Sequence, residues 1–134
     1  MFTYNHKIRV RYGETDAMGV VYHGVYPLYY EEARTEMLRS EGLPYAELES
    51  QGIMMPVVDM HIKYVSPARY DDLLTVRVSI KEIPAARIVF HYEVVDADGK
   101  IINQAEVTLV FVDVATRRPR RAPQPMIDAV AAKL

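Results

Sequence analysis

Polar and apolar residues alternate along the first stretch of the chain. Phe2, Tyr4, His6, Ile8, Val10 and Tyr12 interleave with Thr3, Asn5, Lys7, Arg9 and Arg11, the period-two pattern of a half-buried strand over residues 2–12. From Tyr26 the spacing turns helical, with Tyr26, Tyr29, Tyr30, Ala33 and Met37 at helical intervals. Pro27 suits the first turn, and Gly42 stands where a cap glycine belongs, so the pattern predicts a helix over about 26–40. Residues 44–52, closed by Gly52, read as a short second helix.

Period two then returns. Val58, Met60, Ile62 and Tyr64 alternate with Asp59, His61 and Lys63; after a break at Ser66-Pro67-Ala68 and Asp71-Asp72, Leu74, Val76, Val78 and Ile80 alternate with Thr75, Arg77, Ser79 and Lys81. Ile88, Phe90, Tyr92 and Val94 mark a further strand, Asp96–Lys100 a tight hairpin connection, and residues 101–114 a long last strand that is apolar on both faces. The tail carries a basic knot, Arg117-Arg118-Pro119-Arg120-Arg121, and then a short apolar-rich helix around 126–130. A run of strands with a segregated helix predicts an α+β fold, an antiparallel five-stranded sheet curled around one long helix in one domain spanning 1–134. The helix is apolar over much of its circumference, so its polar residues (Glu31, Glu32, Thr35, Glu36, Arg39) need an exit at one side or end.

Composition narrows the function classes. The 134 residues are half hydrophobic and a quarter charged, and 18 acids against 16 bases leave a net charge of −2. Such a balance gives no bulk attraction to nucleic acid or to a membrane surface. The absence of cysteine removes disulfides, thiol nucleophiles and zinc–thiolate sites. No apolar run reaches the ~18 residues of a spanning helix, and the N-terminus lacks the layout of a signal peptide, so a cytoplasmic location is expected. Four scattered histidines without a ligand spacing indicate no metal site, and nothing calls for a cofactor.

Between the first strand and the helix lies a segment without periodicity, Glu14-Thr15-Asp16-Ala17-Met18-Gly19-Val20-Val21-Tyr22-His23-Gly24-Val25-Tyr26. It sets an aspartate and an imidazole among turn-forming glycines, just ahead of a helix N-terminus. Unpaired N–H groups and the helix dipole favour negative charge at such a place.

The stretch R-V-R-Y-G-E-T-D-A-M-G-V-V-Y-H-G-V-Y, followed by Y-Y-E-E-A-R-T-E-M-L and later by P-V-V-D-M-H-I-K-Y-V-S-P-A-R-Y-D-D-L-L-T-V, resembles acyl-CoA thioesterases of the 4-hydroxybenzoyl-CoA thioesterase type. Within them it is most similar to the Tol-Pal-associated group. The resemblance covers nearly the whole chain. It implies a hot-dog fold, a homodimer with one continuous sheet and often a tetramer of two dimers, with active sites at the dimer interface. It also implies that Asp16 is the catalytic carboxylate and that the backbone N–H of His23 donates to the thioester oxygen.

Thioester hydrolysis needs a nucleophile or base, a place for the oxyanion, and a grip on CoA. With no cysteine and no G-x-S-x-G elbow, Asp16 is the best candidate, either attacking the carbonyl to form a mixed anhydride or deprotonating water. The ordinary role of a lone loop aspartate is an Asx turn. The ring of His23 can orient water or the leaving thiolate, or simply pack at the helix start. Tyr22 and Tyr26 are expected to line the substrate pocket, and Tyr12 to serve as core or as support for Asp16. Lys63 and Arg69, flanking the Ser66–Pro67 break, are candidates for the CoA phosphates. The basic knot lacks interleaved aromatics, so a surface turn or an intersubunit or phosphate contact is preferred over nucleic-acid binding. Two rivals remain: a hot-dog hydratase or dehydratase, in which Glu31 on the helix outweighs Asp16, and a non-catalytic acyl-CoA or carrier-protein binding module.

Overall fold

A computed structural model describes all residues, 1–134. Five long strands form the sheet: β1 (Phe2–Arg9), β3 (Val57–Tyr64), β4 (Leu73–Ile80), β5 (Arg87–Val95) and β6 (Ile101–Asp113). All pairings are antiparallel, in the order β1-β4-β5-β6-β3. Three helices join them, α1 (Tyr26–Ser40), α2 (Tyr45–Ser50) and α3 (Gln124–Ala131). The expected α+β architecture is present.

Alternation decides the two faces. Leu74, Val76, Val78 and Ile80 of β4 and Ile88, Phe90, Tyr92 and Val94 of β5 point inward and are buried. Val107, Leu109 and Phe111 of β6 continue that surface. On the other side, Tyr26, Tyr29, Tyr30, Ala33, Met37 and Leu38 of α1 close over it. Each large aliphatic side chain buried this way contributes about 1.5–3 kcal/mol. One polar contact lies inside this layer: the Tyr30 hydroxyl donates to the side-chain carbonyl of Asn103, whose amide nitrogen has no partner.

Several expectations need correction. The first strand stops at Arg9 rather than at residue 12, because the chain turns at Tyr12–Glu14. Two two-residue strands were not anticipated: β2 (Ile53–Met54) and β7 (Pro119–Arg120), both paired with the far end of β6. A two-residue ladder is too short to carry a period, and β7 turns part of the basic knot into a sheet margin. The exit that the polar residues of α1 need is present, because the sheet leaves one side of the helix open. Leu28 is 62% exposed, and Glu31, Glu32 and Arg39 face outward.

β3 is an edge strand. A bulge at Val58 breaks its register against β6, and Val57, Val58, Tyr64 and the following Val65 are exposed. The outer face of the sheet is polar, with a cross-strand row of Asn5, Arg77, Glu93, Gln104 and Lys63 beside a second row of Thr3, Ser79, His91, Glu106 and His61. No helix is long and apolar enough to cross a membrane.

Candidate active site

The segment between β1 and α1 is held by one carboxylate. Glu14 Oε1 accepts the Arg11 backbone N–H at 2.8 Å and the Tyr29 hydroxyl of α1 at 2.9 Å, while Oε2 takes the Arg11 guanidinium at 3.2 Å. Its side chain is only 14% exposed. Burial alone raises its pKa, but the bonds from the Arg11 amide, the Tyr29 hydroxyl and the Arg11 side chain outweigh that and hold it below the ordinary value. Desolvation pushes the Tyr29 hydroxyl far upward, helped by the Glu14 charge, so it stays a donor.

Beyond Glu14 the chain forms a small hairpin. Thr15 bridges Val21, the Asp16 N–H donates to the Val20 carbonyl at 2.9 Å, and the Tyr22 N–H donates to the Glu14 carbonyl at 3.0 Å. The turn at its tip needs Gly19, whose φ is +77°. Asp16 Oδ1 accepts the Met18 N–H at 2.9 Å and, more loosely, the Val20 N–H at 3.5 Å. Asp16 thus makes an Asx turn, yet its Oδ2 has no hydrogen-bond partner and remains free for chemistry. The hairpin rests on the break after β3, with Val21 N–H donating to the Ala68 carbonyl at 2.8 Å and Val20 bridging Arg69. The exposed Arg69 side chain reaches back over the tip: a Cβ built on Gly19 would lie 3.9 Å from its Nη1.

His23–Val25 form one tight turn leading into α1. The Tyr22 carbonyl takes the Val25 N–H at 2.9 Å, and no hydrogen bond occupies the His23 N–H. The His23 carbonyl is fixed separately, by the Tyr64 hydroxyl at 2.9 Å. The Tyr22 ring lies 4.4 Å from the His23 ring, and the close approach requires Gly24, because a Cβ there would sit 2.6 Å from Tyr22 Cε2. Tyr26 is buried and packs edge-on against Tyr29 and Tyr64. Burial, with Tyr64 and Asp72 nearby, pushes its hydroxyl up to about 12, so it does not release a proton near neutrality.

His23, Tyr26, Tyr64, Val65 and Pro67 line a shallow cleft of about 320 Å³. The structure therefore joins His23 to Tyr26, with Tyr22 against the imidazole, and joins Arg69 to the Asp16 hairpin. Asp16 belongs to the same loop but does not line that cleft within one chain. Lys63 is elsewhere, on the outer sheet face beside His61, Arg77 and Gln104, because strand alternation turns it away from its inward neighbour Tyr64. Of the helix carboxylates, Glu32 pairs with His6 at 2.6 Å, and Glu31 lines a separate cavity between α1 and α2. Sequence reasoning passed over Glu14 and Tyr64. Glu14 reaches back to the Arg11 N–H as the acid of a capping box does, but Arg11 has no acceptor to complete the box, so the sequence carries no clear signal for the first. Tyr64 ends the inward row Met60, Ile62, Tyr64 just ahead of the break.

This arrangement offers an unbonded amide at the entry to a 15-residue helix and a half-buried carboxylate with one free oxygen on the adjoining hairpin. It suits a reaction in which negative charge develops on a carbonyl oxygen. Residues 10–134 match the model of the thioesterase-like superfamily, and the chain belongs to that family. It is 38% identical over 120 residues to the acyl-CoA thioester hydrolase YbgC of Escherichia coli O6:H1, covering 90% of each chain. Among solved structures it is similar to the DHNA-CoA thioesterase of Staphylococcus aureus, with a TM-score of 0.86 at 32% identity over 90% of this chain and 81% of that one. It also resembles Slr0204, a 1,4-dihydroxy-2-naphthoyl-CoA thioesterase from Synechocystis, with a TM-score of 0.90 at 28% identity over 97% and 96% of the two chains.

The Glu14 anchor predicts an acid-sensitive fold. A carboxyl whose folded pKa is lowered stabilises the protein fully above its unfolded value of about 4.3, and that contribution is lost as pH falls through the lower folded value. Urea unfolding between pH 7 and pH 3 should therefore show wild type losing more stability than Glu14→Gln. At pH 7 the variant should be the less stable by about 1–3 kcal/mol. Parallel pH profiles for the two would contradict the anchor.

Proposed function

We propose that the chain hydrolyses acyl-CoA thioesters to a carboxylic acid and CoA. The observation that carries this reading is the pairing, on one short segment, of the free Asp16 oxygen with the unoccupied His23 N–H. The names of its relatives support it: an acyl-CoA thioester hydrolase in one case, aromatic acyl-CoA thioesterases in two others.

In this reading the thioester oxygen accepts the His23 N–H, aided by the start of α1. Losing one such donor typically costs about 2.7–4 kcal/mol of transition-state stabilisation. The Asp16 carboxylate then acts in one of two ways. As a nucleophile it bonds to the carbonyl carbon, the C–S bond breaks, CoA leaves as the thiolate, and water cleaves the mixed anhydride to restore the carboxylate. As a base it takes a proton from the water that attacks the carbonyl carbon, the C–S bond breaks, CoA leaves as the thiolate, and the proton held by Asp16 passes to that thiolate or to solvent. Both routes need the negative charge. In this reading Tyr22 and Tyr26 flank the carbonyl, and Arg69, which reaches over the hairpin tip, takes a CoA phosphate; Lys63, on the opposite face, has no part in it. The dehydratase alternative loses ground, because Glu31 lines a different cavity from His23.

The unpaired edge of β3, with its exposed valines and Tyr64, supports a homodimer in which a second copy adds there and deepens the His23 cleft. Sedimentation should give twice the chain mass, and a monomer at micromolar concentration would remove this element. Asp16→Asn keeps the shape and most hydrogen bonds of the hairpin while removing its charge. Thiol release across an acyl-CoA panel should fall at least about a hundredfold in that variant, some 2.7 kcal/mol, with folding retained. Near-normal turnover would sink the assignment.

A further inference from the structure

A second cavity, of about 480 Å³, lies between α1, α2 and the start of β3. Leu38, Tyr45, Met55, Val57 and Leu109 make most of its wall apolar, and Arg34 of α1 is set into it. Arg34 is half-buried, and no carboxylate oxygen lies within 4.0 Å of its guanidinium. Its one side-chain hydrogen bond is a long one, Nη1 to the Tyr92 hydroxyl at 3.5 Å. The other charged groups at this cavity are accounted for differently. Arg39 is paired with Glu36 at 3.3 Å, and Glu31 is exposed to solvent. A guanidinium has five donors in a planar fork, and removing it from water without an anion is costly. This one is held where a carboxylate would satisfy it.

The cavity and the His23 cleft sit at opposite ends of one seam. Tyr26 of α1 and Tyr64 of β3 line the cleft, and Arg34 of α1 and Val57 of β3 line the cavity. From Tyr26 to Arg34 the helix rises about 12 Å. We infer that Arg34 is a specificity-determining residue, which receives the free carboxylate of a dicarboxylic acyl group whose thioester end sits at His23. The inference rests on the thioesterase reading for the position of the thioester. The apolar wall suits the methylenes between the two ends, and the fork suits a carboxylate bidentately. A phosphate of CoA is the other anion that could pair here, but Arg69 already stands at the hairpin where the CoA end would emerge.

Binding tests this independently of turnover. The probes are paired CoA thioethers of equal chain length, one ending in a methyl and one in a carboxylate, over six to ten carbons, with affinities measured by calorimetry. Wild type should favour the carboxylated member of at least one pair. Arg34→Met should reduce that preference at least about tenfold while leaving the methyl-ended affinity within about twofold, and Arg34→Lys should restore part of it. Adipoyl-, suberoyl- and sebacoyl-CoA, compared with hexanoyl-, octanoyl- and decanoyl-CoA, should show the same preference in kcat/KM. No preference in wild type, or one that survives Arg34→Met, overturns the inference. Equal weakening of both members also overturns it, since that assigns Arg34 to CoA itself. Carboxylate-selective binding without any thioester hydrolysis would leave the inference standing and remove the proposed function instead.

Discussion

The carboxylate of Glu14 is the contact on which the rest of the site depends. It joins a backbone amide at the end of β1 to a hydroxyl on α1, so the loop between them is tied at both ends. The hairpin that carries Asp16 starts at the next residue, and the Tyr22 amide returns to the Glu14 carbonyl. Without that tie, the loop's remaining attachments to the sheet would be the Tyr64 hydroxyl at the His23 carbonyl and the contacts of Val20 and Val21 with the break after β3. A charged acceptor in a mostly buried position is a strong anchor because each donor it holds would otherwise be left unsatisfied. Glu14 works on geometry, and Asp16, two residues further along, is left with an oxygen to spare.

The same division shows in how helix and sheet share their polar groups. The hydroxyls of Tyr29, Tyr30 and Tyr64 each bond to a fixed acceptor: the Glu14 carboxylate, the Asn103 side chain and the His23 carbonyl. Burial raises the pKa of all three, which keeps them protonated and donating. They orient the turn that leads into α1, in which the His23 amide is unoccupied. The tyrosine-rich helix thus supplies positioning, and acid–base work falls to carboxylates.

Much of this was legible in the sequence, and the failures have physical causes. The long strands and α1 announce themselves because burial of one face imposes a period. Their ends do not, since β1 stops at Arg9, just ahead of the point where the Glu14 side chain captures the Arg11 amide. The two-residue strands β2 and β7 depend on what β6 offers them rather than on their own residues. The open side of α1 was legible in its polar residues, which need an exit from the sheet, and Leu28 is exposed on that helix too. At the site, the motif drew attention to Asp16 and His23, while the roles of Glu14 and Tyr64 are defined by partners 15 and 41 residues away. Lys63 was avoidable: in an alternating strand it must face opposite to Ile62 and Tyr64. Arg34 could not have been found from sequence, because its interest lies in a missing partner.

The most direct test is a crystal structure of the protein with an acyl-CoA analogue in which a methylene replaces the thioester sulfur, leaving a ketone that cannot be cleaved. The account predicts the ketone oxygen within about 3.1 Å of the His23 backbone nitrogen, and an Asp16 carboxylate oxygen facing the carbonyl carbon or a water beside it. A ketone bound away from the His23 amide, with Asp16 still engaged only in its own turn, would contradict it.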